Sequence, residues 1–297
     1  MKLSIIIPTK NRAKVLVESI KRFGEMDGEI IVVDDGSDLN NWKIEKTEAG
    51  NNPKVKLIKN KGCGPAAARN TGMDVAKGEV LVFLNDDTRV KKDYFKHVVE
   101  FHKDREKTEA LVGPMRTSKE VLVASKTTRW LEKNKNINFN YKDFEDGQEI
   151  PSYYFWTCNL SVKRKFFVDS DLRFNQKFTM AAWEDIEMGY RCFGAGLRLF
   201  FDKHIECEHY HAYEWEDIWR RFYNHGRGMY WFGREAEKQH WPLLLKLGIN
   251  KWGRLASWLP IDKVLKSVKI NWEPVADLLI VWFKIKGYEA ERKMCGM

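Results

Sequence analysis

Cysteine and long apolar runs are scarce in this sequence of 297 residues. The five cysteines are scattered, odd in number and form no Cys-x-x-Cys pair, so we expect neither a disulfide framework nor a structural zinc site. No stretch of eighteen apolar residues occurs, so no membrane-spanning helix is predicted. The first apolar run is short and is interrupted by Pro8, which is atypical of a secretion signal. These features favour a protein of the reducing cytoplasm.

Two glycine-rich nucleotide signatures are missing as well. No Gly-x-Gly-x-x-Gly follows the first predicted strand, which makes dinucleotide binding a weak hypothesis, and the P-loop motif is absent. The net charge is nevertheless +9. A basic protein favours an anionic partner such as nucleotide phosphate, an anionic membrane face or nucleic acid, and no nucleic-acid-binding motif supports the last of these.

The first third of the chain alternates short apolar runs with helical patterns. The runs are Leu3 to Ile7, Glu29 to Val33, Val55 to Ile58 and Val80 to Leu84. Strands that alternate with helices at this spacing predict an α/β fold with a mostly parallel central sheet flanked by helices.

Acidic side chains follow two of these strands. Asp34 and Asp35 end the second, and Asn85, Asp86 and Asp87 end the fourth. Because ligands bind outside the carboxyl ends of strands in open α/β sheets, we expect these side chains in a crevice. Paired carboxylates suit Mg²⁺ or Mn²⁺, which also bind phosphate oxygens. The alternative is an acidic turn that caps the next helix.

Other charged residues lie at predicted helix starts. The helix that begins at Pro65 follows a glycine-rich loop, and with Arg69 it offers donors to phosphate or base oxygens. Glu184 and Asp185 occupy the first turn of a later helix, where the helix dipole favours acidic side chains whatever their function. An ordinary connection and an ordinary cap are the alternatives for these two segments.

Five short motifs occur in order along the chain: Ser4 to Arg12, Val32 to Ser37, Gly64 to Gly72, Leu84 to Asp87 and Trp183 to Asp185. In this order and spacing they resemble family 2 glycosyltransferases of the GT-A fold, over about residues 1 to 230. The resemblance implies a Rossmann-like α/β domain that transfers a sugar, with inversion, from a nucleotide diphosphate sugar with the help of Mn²⁺ or Mg²⁺. It favours UDP over GDP.

The resemblance also implies roles for single residues. Asp185 is expected to be the catalytic base, with Glu184 beside it. Asp87 and His209 are expected to hold the metal, with His211 as the alternative to His209. Nucleotide contacts are expected from Pro8, Thr9, Asn11, Arg12, Asp34, Asp35, Arg69, Asn70, Asn85, Asp86 and Arg227. Donor-sugar contacts are expected from Thr157, Asn159 and Trp183.

One position departs from the family motif. Asn85 stands where the metal-binding motif begins with Asp. Because an amide is a poorer metal ligand than a carboxylate, we assign the metal to Asp87 and the nucleotide sugar to Asp86. Further along, a helix is predicted from Asp217, followed by a glycine-flanked Arg227. Arg227 and Arg221 are expected to clamp the diphosphate as a lid, with exposed surface arginines as the alternative.

The middle of the chain is less informative. Val121 to Ala124 is predicted to be a short strand, and Glu132 to Glu149 a surface loop. The aromatic side chains of Phe139, Tyr141 and Phe144 form either an acceptor wall or isolated surface positions.

The last sixty residues differ in composition from the rest. We predict a catalytic domain over 1–237, with a nucleotide-binding half at 1–107 and an acceptor half at 108–237, and a basic, Trp-rich extension over 238–297. The segment from Trp252 to Ile270 suits amphipathic helices that lie on an anionic membrane surface or pack on the catalytic domain. The first alternative makes the protein peripheral on the inner face of the membrane and favours a glycan or lipid-linked acceptor.

Two other functions stay open at this point. A sugar-phosphate nucleotidyltransferase has a related α/β arrangement but needs a glycine-rich loop after the first strand, and Pro8 to Arg12 lacks glycine. The second is a non-catalytic membrane adaptor that binds nucleotide sugars. The presence of Asp86, Asp87 and Asp185 together speaks against it, because an adaptor does not require all three.

Overall fold

A central sheet organises the computed structural model, which describes residues 1–135, 144–239 and 276–295. Among these residues, eight strands form one sheet in the order β3-β2-β1-β4-β9-β6-β10-β8. The strands are β1 Leu3–Thr9, β2 Gly28–Asp34, β3 Val55–Lys59, β4 Val80–Leu84, β6 Glu109–Val112, β8 Glu149–Ile150, β9 Asn159–Lys163 and β10 Arg198–Phe201. Strands β3, β2, β1 and β4 are mutually parallel, whereas β9 runs antiparallel between β4 and β6.

A smaller sheet joins three further strands in the order β5-β11-β7: β5 Thr88–Val90, β7 Met115–Thr117 and β11 Cys207–His209. Strand β5 follows β4 after three residues, and its Thr88 pairs with His209 of β11. This pairing brings a segment from the last third of the chain to the end of β4.

Helices cover both faces of the main sheet. In chain order they are α1 Ala13–Lys21, α2 Leu39–Ile44, α3 Pro65–Val75, α4 Tyr94–Lys103, α5 Lys119–Ala124, α6 Lys126–Lys135, α7 Arg164–Ser170, α8 Glu184–Gly194, α9 Trp215–Lys238 and α10 Ala276–Met294. A π-helical turn, Glu45–Ala49, follows α2.

The buried strands explain the two hydrophobic cores. Side chains alternate across the sheet, so Ile6, Ile31 and Phe83 contribute to one core, while Ile5, Val32 and Val82 contribute to the other. All five residues of β4 are buried, as its continuous apolar sequence predicts. The predicted α/β fold with a mostly parallel sheet is confirmed.

Two segments differ from the sequence-based prediction. Val121 to Ala124 is part of α5 and not a strand, because Val121 alone is buried while Val123 is 80% exposed, and Leu122 N–H donates to the Ser118 carbonyl. Glu132 belongs to α6 and not to a loop. Phe139 and Tyr141 lie outside the described residues. Phe144 packs edge-on against Tyr154, with ring centroids 5.0 Å apart, and is partly buried against the hydrophobic core.

The C-terminal helix α10 lies along α9. Its Leu279, Ile280, Trp282 and Ile285 are buried, and Phe283 stacks on Trp219 of α9 at 5.4 Å. This part of the predicted extension therefore packs on α9, which lies within the predicted domain over 1–237. The proposed membrane segment, Trp252 to Ile270, lies outside the described residues. Within the ranges given above, no helix is both long enough and apolar enough to cross a bilayer.

Candidate active site

A cavity of about 470 Å³ opens at the carboxyl ends of the central strands. Its wall includes Asp87 from the end of β4, Asp185 from the start of α8 and His209 from β11. Asp87 precedes Asp185 and His209 by roughly a hundred positions in the chain, and the fold brings the three residues together. The cavity matches the predicted position of a ligand site, outside the strand ends.

Arg12 joins the two carboxylates that follow β4. Its guanidinium lies 2.9 Å from Asp86 Oδ1 and 2.6 Å from Asp87 Oδ2. Thr9 at the end of β1 donates its hydroxyl to Asp86 Oδ2 at 2.9 Å. Both aspartates are buried, so the positive charge of Arg12 offsets a large desolvation penalty. Burial raises the pKa of Asp86 to about 6 even with Arg12 alongside.

Two histidines approach Asp87 from the small sheet. His209 Nε2 lies 3.1 Å from Asp87 Oδ2, and His211 Nδ1 lies 3.9 Å from the same oxygen. His211 instead meets the Arg12 guanidinium at 2.8 Å, and burial followed by the charge of Arg12 lowers the pKa of His211 to about 4. Although burial opposes ionisation, His209 and Arg12 hold the pKa of Asp87 well below its usual range, so this group is a carboxylate.

The donor atoms around Asp87 fit a divalent metal. Asp87 Oδ1 is buried and has no hydrogen-bond partner among the residues that the structure describes, and the nitrogen of His209 that faces Asp87 is Nε2. A carboxylate and an imidazole suit Mn²⁺ and also accommodate Mg²⁺ with more water or phosphate ligands. Arg12 already places a cationic group against these carboxylates, which indicates that the position favours positive charge. The geometry favours His209 over His211 as the imidazole nearest Asp87.

Glu184 and Asp185 have different environments although they are adjacent. Glu184 is buried and accepts from Arg69 Nη1 at 2.8 Å. Asp185 is half-buried on the cavity wall, where its Oδ1 accepts from the Ile186 N–H at 2.8 Å. Burial and the neighbouring Glu184 carboxylate raise the pKa of Asp185 to about 7. A carboxyl with this pKa can accept a proton near neutral pH.

Polar atoms also collect at the ends of β2 and β3. Asp34 Oδ1 accepts from Ser37 N–H, while Asp34 Oδ2 is buried and, like the Nδ2 of Asn60, meets no partner among the described residues. Asp35 Oδ2 accepts from Gly64 N–H at 2.9 Å. The Asn60 N–H donates to the Asp34 carbonyl at 2.7 Å, so the two residues are neighbours, and an available donor and acceptor suit the edge of a nucleotide base. Asn60 was not predicted from the sequence, although a polar residue directly after a strand was a usable signal.

The loop after β1 is built around Asn11. Asn11 has a left-handed backbone, with φ of 56°, and its N–H donates to Ser37 Oγ at 2.7 Å. Its side-chain oxygen accepts from Asp38 N–H. Asn11 therefore ties the loop after β1 to the loop after β2, with Pro8 and Thr9 at the end of β1 beside them.

Three predicted contacts are directed elsewhere by the structure. The Asn159 side chain is fully buried, accepts from Tyr94 and donates to the carbonyls of Pro114 and Ile205, so its amide is used within the fold. The Asn70 side chain is likewise bonded to the backbone of Phe174: its Nδ2 donates to the carbonyl and its Oδ1 accepts from the N–H, both at 2.8 Å. The predictions of a sugar contact for Asn159 and a nucleotide contact for Asn70 are not supported by these arrangements.

Arg227 is the third. It lies inside α9, which continues through its flanking glycines, and its Nε donates to Glu291 of α10. It is not among the residues that line the cavity, so a lid built on Arg227 does not match the structure. Arg221 does line the cavity and donates to the Tyr213 hydroxyl at 2.8 Å.

Other predicted residues lie on the cavity wall. Asn85, Thr157 and Trp183 all line it, and Thr157 Oγ1 and Trp183 Nε1 are buried with no partner in the described part of the chain. The wall also includes a polar face of α9, with Asp217, Arg221 and Asn224 at helical spacing, which was not predicted from the sequence.

Comparison with known proteins identifies the family. Residues 4–169 match the model of glycosyl transferase family 2. An uncharacterized glycosyltransferase of Bacillus subtilis (strain 168), YfnE, is 26% identical over 254 residues, which cover 70% of this chain and 64% of the relative. Validoxylamine A glucosyltransferase of Streptomyces hygroscopicus subsp. jinggangensis is 25% identical over 71% of this chain and 57% of its own length. The chain thus spans less than two thirds of these relatives.

Solved structures share the fold. Residues 1–349 of TarS from S. aureus in complex with UDP align with a TM-score of 0.55 at 18% identity, covering 99% of this chain and 92% of that one. The mannosyltransferase PcManGT from Pyrobaculum calidifontis, in complex with GDP-Man and Mn²⁺, aligns with a TM-score of 0.60 at 15% identity, covering 98% and 87%. These likenesses establish the GT-A architecture.

Proposed function

The chain belongs to glycosyl transferase family 2, and on this premise we propose that it is a metal-dependent, inverting glycosyltransferase that uses a nucleotide diphosphate sugar. The observation that carries the proposal is that Asp87, His209 and Asp185 line one cavity at the strand ends. The family match also favours sugar transfer over the sugar-phosphate nucleotidyltransferase alternative.

The donor nucleotide binds at the ends of β1 to β4 in this proposal. Asp34 Oδ2 and Asn60 Nδ2 contact the base, and Asp86 with Asn85 contacts the ribose. UDP is favoured over GDP, since TarS was solved with UDP, while PcManGT, with GDP-Man, keeps the second nucleotide as the alternative.

Asp87 and His209 would hold the metal. When bound, it supplies positive charge that stabilises the departing diphosphate. Arg12, which now contacts both Asp86 and Asp87, is the residue that must give way or turn towards the phosphates.

Asp185 acts as the general base. It accepts the proton of the acceptor hydroxyl while that oxygen forms a bond to the anomeric carbon, and the bond from this carbon to the diphosphate oxygen breaks on the opposite face. The leaving diphosphate takes the bonding electron pair, and the configuration inverts because the new bond forms on the face opposite to the one that breaks. The ion pair with Arg69 compensates the negative charge of Glu184, so Asp185 does not lie beside an unpaired carboxylate.

The acceptor enters along the polar face of α9, beside Arg221 and Asn224. We propose a hydroxyl of a glycan or of a lipid-linked glycan. The basic extension would then place the protein at an anionic membrane face, which co-sedimentation of the full chain with anionic vesicles measures. Neutralising Lys263, Lys266 and Lys269 to Gln is expected to weaken that binding, and equal binding would remove the membrane proposal.

The proposal is tested by thermal shift with a panel of UDP-glucose, UDP-GlcNAc, UDP-galactose and GDP-mannose, each with and without Mn²⁺. A ligand that binds only the folded chain raises its melting temperature. We expect one nucleotide sugar to stabilise the protein in a Mn²⁺-dependent way. No stabilisation by any nucleotide, with or without metal, would contradict the proposal.

A further inference from the structure

Residues 171–183 connect α7 to α8, and we name this segment the strap. Its first half is fastened to α3 through the paired hydrogen bonds between Asn70 and Phe174. Its second half lies against the start of α3, where a Cβ on Gly64 would fall 2.6 Å from the Thr179 carbonyl oxygen. One side of the strap therefore packs on α3, the helix whose start is expected to contact the nucleotide.

The strap ends in a strained residue. Trp183 has φ of 73° and ψ of −11°, a left-handed conformation that bulky side chains rarely adopt. Its ring is held by His225 and Phe232, with centroids 4.9 and 5.1 Å away. Because Trp183 directly precedes Glu184 and Asp185, its backbone sets the direction in which the first turn of α8 enters the cavity.

Helix α9 presses on the other side of the strap. A Cβ on Gly228 would lie 2.4 Å from the Ala182 carbonyl oxygen, so the helix backbone touches the strap backbone at this point. Lys177 of the strap pairs with Glu235 at 3.0 Å. Helix α9 therefore contacts the strap both through its backbone, next to Trp183, and through an ion pair.

Helix α10 in turn packs closely against α9 at two glycines, Gly226 of α9 and Gly287 of α10. A Cβ on Gly226 would lie 1.8 Å from the Lys284 carbonyl oxygen, and one on Gly287 would lie 1.9 Å from that of Tyr223. Such close backbone approach allows only one register of the two helices.

Glu291 is the polar link in this crossing. It is only 4% exposed, and its two oxygens accept from Arg227 Nε and, at 3.1 Å, from Trp231 Nε1. Arg227 extends the link, since its Nη2 lies 3.5 Å from Thr179 Oγ1 of the strap. A buried carboxylate with both oxygens bonded to one neighbouring helix orients that helix specifically.

We propose that Glu291 is a positioning residue for the transferase site: from α10 it holds α9 against the strap, which keeps Trp183 in its left-handed conformation and Asp185 on the cavity wall. This inference rests on the proposed function for its kinetic consequence. It also makes α10 a working part of the catalytic unit, so a functional boundary at residue 237 would cut through that unit.

The test compares Glu291→Gln with Glu289→Gln in the full chain. Both remove one negative charge from α10, but Glu289 is half-exposed. A glutamine at 291 can accept from only one of its two donors. Hydrogen exchange of strap peptides, the affinity for UDP with Mn²⁺, and the kcat and KM of donor hydrolysis or transfer are measured for each variant.

In Glu291→Gln we expect faster exchange in the strap, kcat lowered about ten- to a hundredfold, and KM and UDP affinity within about twofold of wild type. Glu289→Gln is expected to match wild type in every readout. If Glu291→Gln does not fold, Arg227→Lys is the second variant. It keeps the charge but loses the guanidinium that reaches both Glu291 and Thr179, and we expect a lowered kcat with an unchanged KM.

Unchanged kcat in a folded Glu291→Gln protein would overturn the positioning role, whether or not strap exchange changes. Unchanged exchange would overturn the link between α10 and the strap. If the wild-type chain transfers no sugar, the proposed function fails separately, and the exchange measurement still decides whether Glu291 holds the strap.

Discussion

The carboxylate of Glu184 lies 2.8 Å from the guanidinium of Arg69, and both side chains are buried directly beside Asp185. This ion pair gives the two adjacent acids, Glu184 and Asp185, different environments. Glu184 is paired with Arg69, whereas Asp185 lies on the cavity wall with its pKa raised to about 7 by burial and by Glu184.

Arg69→Gln is expected to shift the acid limb of the pH profile of kcat upwards. The positive charge of Arg69 lowers the pKa of Asp185, so its removal leaves Glu184 uncompensated and raises that pKa further. Since a general base works only when deprotonated, activity is lost as pH falls through the pKa of Asp185. We expect this midpoint to move up by on the order of one pH unit. Arg198→Gln, at an exposed ion pair, is the control, and an unmoved midpoint would contradict the coupling.

Asp87→Asn is expected to abolish the metal dependence of UDP binding. The substitution removes the negative charge that Mn²⁺ needs, while Arg12 keeps Asp86 as a partner. Calorimetry with Mn²⁺ should show affinity for UDP falling at least about tenfold, to the level measured without metal. Asp169→Asn, which removes an exposed carboxylate, should behave as wild type. Retained metal dependence in Asp87→Asn would remove Asp87 from the metal site.

Asn60→Ala is expected to weaken nucleotide binding without affecting the metal. Its Nδ2 group is buried and, among the described residues, has no partner, so it is available to a base acceptor. Loss of one such hydrogen bond costs about 1 kcal/mol, or roughly fivefold in affinity for UDP. Asn40→Ala, at an exposed position nearby, is the control. Equal affinities in the two variants would exclude Asn60 from the base site.

Glu45→Gln is expected to stabilise the fold at alkaline pH only. Glu45 is fully buried, and burial with the nearby Asp34 raises its pKa to about 7. The folded state therefore binds the proton more tightly than the unfolded state, and stability falls as pH rises from about 4.5 to 7. Above pH 7 the variant should unfold with a free energy about 1 to 3 kcal/mol higher than wild type.

Denaturant unfolding at pH 5 and pH 8.5 checks this expectation. Exposed Glu48→Gln, one turn along the same segment, is the matched control. A gain of the same size at both pH values, or no gain at pH 8.5, would show that Glu45 does not carry a buried proton.

Local sequence patterns were sufficient to predict the sheet and the acidic strand ends. Val80 to Leu84 is apolar throughout because β4 is buried on both faces, and Asp87 follows it at the point where the strand leaves the core. The family match and the shared fold confirm the predicted architecture.

Hydrogen-bond partners were not accessible from the sequence. Asn159 and Asn70 carry amides in the right segments, but whether an amide contacts a ligand or another part of the chain depends on residues such as Tyr94 and Phe174, which are distant in sequence. The pairing of Arg12 with Asp86 and Asp87 spans about 75 positions and depends on strand order in the same way.

Glycine gave a misleading signal around Arg227. Glycines usually break helices, so Gly226 and Gly228 suggested a loop. In the structure both lie within α9, because a side chain at either position would collide with the Lys284 or Ala182 carbonyl oxygen. The glycines serve helix contact and not chain flexibility.

The central claim is that Asp185 takes the acceptor proton, and Asp185→Asn tests it most directly. An amide of the same shape cannot accept that proton, so turnover with the nucleotide sugar identified by thermal shift should fall about 10²- to 10⁴-fold. Affinity for UDP with Mn²⁺, measured by calorimetry on the same protein, should stay within about threefold of wild type, because the proposed nucleotide contacts lie at the ends of β1 to β4 and not on α8. Turnover close to that of wild type in a folded Asp185→Asn protein would contradict the account.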